Sequence, residues 1–250
     1  MELRDEEPQK TALIVYAHQS PGSFNAAVRE VAVQELTAQG YTVTVSDLYA
    51  MDFRANATRD DIIGDLKNSE LFQYGEETMH AWMEGRLSDD IVAEQRKVEE
   101  AELIIFQVRG HRGRSCTQTD GRTGSLVLTG VSVFQNGTLH FCGFQVLAPQ
   151  IFWSPAHSPA AVRAAMLEGW RQRLKGLLAE KPLTFAPCEF FDLSFQGGFQ
   201  LRPEVREQQQ SQPYGLTTGH HLGKPLPPDN QTRAPPTDEA TPHSQNHPCV

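Results

Sequence analysis

Residues Ala12-Leu13-Ile14-Val15-Tyr16-Ala17 form an unbroken apolar run of strand length close to the start of the chain. A strand that is apolar at every position has no face to turn to water, so the run predicts a central parallel strand covered by helices on both sides. After His18-Gln19-Ser20-Pro21-Gly22-Ser23 the pattern changes: Phe24, Val28, Val31, Val33 and Leu36 recur with helical spacing until Gly40 stops the helix. The alternating, β-branched stretch Tyr41–Asp47 predicts a second strand and closes a βαβ unit.

From Met51 to about Gly85 the chain is mixed, with Phe53, Phe72, Tyr74 and Trp82 scattered among charges, and predicts a long excursion rather than a regular layer. Ser88-Asp89-Asp90-Ile91 places acids in a first turn and starts a helix that runs to Glu102. Leu103–Phe106, Leu126–Thr129 and Leu139–Leu147 read as strands three, four and five. A long helix capped by Ser158-Pro159 follows, to Glu180. Alternation of this kind predicts an α/β fold, a doubly wound parallel sheet. Beyond Lys181, Phe185, Phe190, Phe191, Phe195 and Phe199 are spaced without a strict period, as in an arm that buries them on something else. From about Pro225 the composition predicts a disordered tail.

The net charge of −9 repels phosphate backbones and anionic lipid, which sets aside nucleic acid and membrane surfaces as partners. No apolar stretch is long enough to span a bilayer. The charged opening Met1–Pro8 is unlike a secretory leader, so the expected location is the cytosol. The four cysteines, Cys116, Cys142, Cys188 and Cys249, show neither CxxC pairing nor histidines at zinc spacing and read as free thiols. The N-x-T sequons at Asn56, Asn136 and Asn230 then carry no sugar.

One segment breaks the alternation. Residues 109–124, with arginines at 109, 112, 114 and 122 and four glycines, have no apolar face at any period and cannot form a packed crossover helix. Joining strand three to strand four this way leaves part of the sheet uncovered. With no aromatics for base stacking, a solvated irregular loop fits the segment better than a phosphate- or nucleic-acid-binding loop.

The runs Leu13–His18 with Ser23-Phe24-Asn25, Val45–Met51, Asp90–Gln95, Leu139–Leu147 and Gly219–Lys224 stand in the order found in the mammalian-type NAD(P)H:quinone oxidoreductases, or DT-diaphorases. The chain resembles that family over residues 10–107 and 134–232. The resemblance implies a flavodoxin-like FAD-binding domain over residues 10–182, with 108–124 irregular, then an arm over 183–224 and a disordered tail over 225–250. It also implies a homodimer that passes a hydride from NADH or NADPH to FAD and on to quinones. The long arm is similar to that of the longer-chain, quinone-reducing members. One metal-ligand position of the shorter relatives is Asn136 here, although His140 remains, so no metal is expected.

Carried over residue by residue, the resemblance makes His18, Phe24 and Asn25 contacts of the FAD diphosphate and adenine side, at a helix N-terminus suited to an anion. Gln73 matches a position that reaches the flavin from the partner subunit, and Arg163 and Leu167 match positions lining the adenosine end. Phe141 matches a wall of the substrate pocket, and Phe195 and Phe199 match aromatics contributed by the partner's arm. By residue type alone, His18 also fits a cap, Phe141 a core strand residue, Arg163 a solvated helix residue, and the two arm phenylalanines ordinary packing. After Gln107 the family's Pro/Trp loop, its covering helix and its Tyr/His pair have no counterpart, so no catalytic residue is assigned. The expected function is an FAD-dependent NAD(P)H dehydrogenase acting on quinones; the alternative is a splice-type isoform or dimer-forming relative without stable FAD.

Overall fold

The computed structural model describes residues 10–107, 134–216 and 223–225. Strand β1 (Thr11–Tyr16) lies between β2 (Thr42–Asp47) and β3 (Leu103–Gln107), all three parallel, in the order β2-β1-β3. Thr11 faces Thr42 and Ala12 faces Leu103, so both edges of β1 are paired along nearly its whole length. Its side chains are correspondingly enclosed, with Leu13, Ile14 and Tyr16 at 1% exposure or less. The all-apolar run is thus the centre of the sheet, as its composition predicts.

Helix α1 (Phe24–Ala38) begins where Ser23 Oγ accepts from the Ala26 N–H at 3.2 Å. It ends at Gln39 and Gly40, whose φ of +87° is the left-handed conformation that glycine alone takes without strain. Right-handed crossovers in a β2-β1-β3 sheet put α1 on one face and α3 (Asp89–Glu100) on the other. Ser46 of β2, wholly buried, ties α3 down: its Oγ donates to Glu94 Oε2 at 2.6 Å and accepts from Lys97 Nζ at 3.0 Å.

Between β2 and α3 the expected excursion is more ordered than its composition suggests. It contains helix α2 (Tyr74–Met83) and a satellite core of Ile62, Ala81 and Leu87, joined by an antiparallel bridge from Ile62 to Leu87. Three apolar residues spaced far apart in sequence leave no periodic trace, which is why a pattern search reads the segment as irregular.

Helix α4 (Ala160–Lys175) packs along α1. Trp170 Nε1 donates to the Val28 carbonyl at 3.2 Å, and Leu174 is buried beside it. The helix is shorter than Ser158–Glu180 at both ends. Pro159, with no side-chain acceptor, occupies the cap position, and Gly176 ends the helix before a short turn over Leu177–Ala179.

The expected strand over Leu139–Leu147 is not a strand. Gln135–His140 winds in a wide helical turn with i to i+5 bonds, Phe141 N–H to Asn136 O and Phe144 N–H to Leu139 O, and Gly143 at φ +90° closes it. The segment has the aromatic and β-branched bias of a strand, but that bias expresses itself only against a neighbouring ladder. Among the described residues the sheet offers it none. Leu126–Thr129 and the Arg/Gly segment lie outside the described residues, as do the 226–250 tail and the start of the Gly219–Lys224 motif.

Two compact units result. One comprises residues 10–107 and 155–176; the other comprises 134–154, 177–216 and 223–225. The second unit holds helix α5 (Pro203–Gln210) and a bridge from Phe191 to Leu201. In the first, β3 is half-buried along its five residues.

Truncating the centre of the sheet should be costly. Ile14→Ala is expected to lower unfolding free energy by about 2–5 kcal/mol, whereas exposed Thr44→Ala should stay within about 0.5 kcal/mol; urea denaturation of both variants checks the pair.

Candidate functional site

In a parallel sheet, ligands gather beyond the carboxyl ends of the strands where the chain order reverses, and β1 is that point here. The chain leaves β1 at Tyr16 and reaches α1 through the turn that contains His18. The Ser20 N–H donates to His18 Nδ1 at 3.0 Å, and Ser23 Oγ lies 3.3 Å from the same nitrogen. A backbone N–H can only donate, so Nδ1 is the bare nitrogen and Nε2 carries the proton of the neutral ring. The turn therefore presents an N–H donor from His18 beside the first turn of α1, which contains no acidic residue.

Phe24 and Asn25 open that first turn. At the same end of the sheet, Gln107 closes β3 and reaches across to Asn25: its Nε2 donates to the Asn25 carbonyl at 2.5 Å and to Asn25 Oδ1 at 2.9 Å. Asn25 Nδ2 is buried without a partner among the described residues. Below the turn, Arg29 packs over the Tyr16 ring at 4.6 Å and pairs with Asp47 at 3.1 Å, bracing α1 against both β1 and β2. His18, Phe24 and Asn25 all belong to this turn and the start of α1. Gln107 joins them and is missed by sequence reading; its one signal is an amide ending an otherwise apolar strand.

Arg163 and Leu167 sit one turn apart on α4, both half-buried, and Arg163 Nη1 donates to the Ser158 carbonyl at 2.5 Å. Gln73 is exposed at the start of α2. With its amide turned, it donates to the Glu76 carboxylate at 2.8 Å.

The loop leading to Gln73 is held by Glu77, 3% exposed, whose carboxylate accepts from the Lys67 N–H at 2.8 Å and the Asn68 N–H at 2.7 Å. Those two bonds hold the carboxyl below its ordinary value. Tyr74 donates to Asp61 at 2.7 Å, and that bond pushes the phenol up to about 12.

In the second unit Phe141 is 85% exposed, not a core strand residue. Phe195 and Phe199 stand edge to face with ring centroids 5.5 Å apart, and Phe195 is 90% exposed. Their loop is shaped by Asp192, which accepts from the Ser194 N–H and hydroxyl, and by Gly197, where a Cβ would lie 2.0 Å from Asp192 Cγ. Phe199 itself adopts φ +56°, a strained conformation for a bulky residue.

A family model described as a flavodoxin-like fold matches residues 10–110. The chain is 42% identical to the guinea pig (Cavia porcellus) protein named NAD(P)H dehydrogenase (quinone) 1, over 90% of this chain and 98% of that protein. The chain belongs to the NAD(P)H dehydrogenase (quinone) family. The rat (Rattus norvegicus) ribosyldihydronicotinamide dehydrogenase (quinone) is 40% identical over 73% of the chain and 98% of its own length. The guinea pig alignment runs over 269 positions, more than the 250 residues present here, so that relative has residues with no counterpart in this member of the family. A solved structure of a putative quinone reductase from Klebsiella pneumoniae shares the fold with a TM-score of 0.65 at 24% identity, over 78% of this chain and 95% of its own.

Among the described residues no group of three or more His, Cys, Asp or Glu is arranged to hold a metal ion. Exposed His140 stacks on Phe185, with centroids 4.6 Å apart.

Because the folded Glu77 carboxyl lies below its ordinary 4.5, its contribution to stability is complete above that pH and is lost as pH falls through the folded value. Glu77→Gln presents an amide N–H to one of the two backbone donors. It should be less stable at neutral pH and show a shallower loss of stability under acid, read by thermal melts across the carboxylate range.

Proposed function

We propose that the chain is an FAD-dependent NAD(P)H dehydrogenase (quinone), which carries a hydride from NADH or NADPH to a quinone and works as a cytosolic homodimer. The observation that carries this reading is the donor-lined turn at the carboxyl end of β1. There the proton-bearing Nε2 of His18, the buried donor of Asn25 and the N-terminal end of α1 stand without an acidic residue in the first helical turn. That donor set fits the diphosphate of FAD, where the helix dipole adds to the hydrogen bonds. Relatives bearing the dehydrogenase name along nearly their whole length favour the enzyme over a cofactor-free isoform.

When bound, the flavin supplies the two-electron chemistry, and the protein's task is to hold and enclose it. His18 and Asn25 bind the diphosphate. Phe24 closes the turn, and Arg163 and Leu167 line the adenosine end. Gln73, exposed at the start of α2, contacts the flavin across the dimer. Phe141, with Phe195 and Phe199 contributed across the dimer, walls the quinone pocket and excludes water. The exposure of these three phenylalanines supports a partner subunit, since large aromatics rarely stay bare. No helix among the described residues is long and apolar enough to cross a membrane.

Purified protein incubated with FAD and desalted should keep the visible flavin bands and oxidise NADH or NADPH in the presence of a quinone. His18→Ala should weaken FAD binding about tenfold, the loss of one hydrogen bond to a charged group, measured by fluorescence titration. A colourless wild-type protein without quinone-dependent activity would sink the reading and leave the isoform alternative.

A further inference from the structure

Hydrogen-bond polarity runs in one direction through the Gln107–Asn25 pair. The Asn25 main-chain carbonyl is an acceptor and nothing else, so the Gln107 atom that meets it at 2.5 Å must be the Nε2 donor. The same Nε2 lies 2.9 Å from the Asn25 side-chain amide, which must therefore turn its own acceptor, Oδ1, toward Gln107. Asn25 Nδ2 is then forced to the other side, where it is buried and finds no acceptor among the described residues. Buried polar groups are almost always satisfied, so a donor held in this way calls for an oxygen that the described residues do not supply.

We infer that Gln107 is a positioning residue that locks the Asn25 amide with its N–H donor facing an anionic oxygen, of the kind a nucleoside diphosphate carries, at the first turn of α1. It rests on the reading of this turn as the FAD diphosphate site and adds the residue that sets its polarity. Gln107 touches no ligand itself. Its position at the end of β3 makes the carboxyl edge of the sheet, rather than the α1 turn alone, responsible for the donor. An amide is required on both sides, because a glutamate at 107 would set a second acceptor against the two oxygens it now serves.

The test compares wild type with Gln107→Leu, Gln107→Glu, Asn25→Ala and the Asn25→Ala/Gln107→Leu double variant, using ADP, adenosine and FAD as probes in equilibrium dialysis or fluorescence titration. Both Gln107 variants should bind ADP and FAD about tenfold more weakly while binding adenosine as the wild type does, the signature of one lost bond to a charged group. The double variant should bind ADP no worse than Asn25→Ala alone. The inference is overturned if Gln107→Leu binds ADP as the wild type does, if adenosine weakens by the same factor as ADP, or if the two substitutions add. Wild type that binds ADP but retains no FAD would sink the proposed function while leaving this role intact. Wild type that binds neither overturns both.

Discussion

Burial of β1 on both edges and both faces is the constraint on which the first unit depends. A wholly apolar strand can be stable only inside a parallel sheet with a helix on each side, and that demand fixes the crossovers of α1 and α3 and the order β2-β1-β3. The same demand creates the site. Once β1 has neighbours on both edges, the chain leaving Tyr16 has to turn above the sheet, and the turn that carries it to α1 gathers N–H donors at one spot.

Charge and polarity around that spot are arranged in layers. Arg29, braced between the Tyr16 ring and Asp47, lies a full turn further along α1, where it neutralises Asp47 at the end of β2. Ser46, Glu94 and Lys97 satisfy one another beneath the opposite helix, so the polar ends of the strands are matched inside the protein. Asn25 Nδ2 is an exception to that matching. At the far end of the excursion, Glu77 does for the 67–68 turn what Ser23 does for α1: one acceptor meets backbone donors that would otherwise be buried without partners.

The β1–turn–α1–β2 portion was legible because every local signal agreed: an apolar run, a serine cap, helical spacing, a terminal glycine and then alternation. Leu139–Leu147 was misread because strand identity is conferred by a neighbour, and residues 139–144 close their hydrogen bonds on themselves instead. The Ser158 cap failed for a related reason, since Pro159 took the cap position with its fixed φ and no donor to satisfy. His18 and Asn25 were named through the family resemblance, with their place after a strand as physical support. Gln107 could not be named, because its meaning lies in an amide 82 residues earlier and no one-dimensional pattern links the two.

The Trp170–Val28 bond carries a consequence for the order of events during synthesis. It joins residues 142 apart in sequence, whereas β1 and β2 pair across about thirty. The βαβ nucleus can therefore assemble on a short nascent chain, but the apolar side of α1 that α4 covers stays bare until the ribosome has passed Trp170. For that interval the nucleus is a natural client for a chaperone, and a chain that terminates before Trp170 keeps the liability permanently.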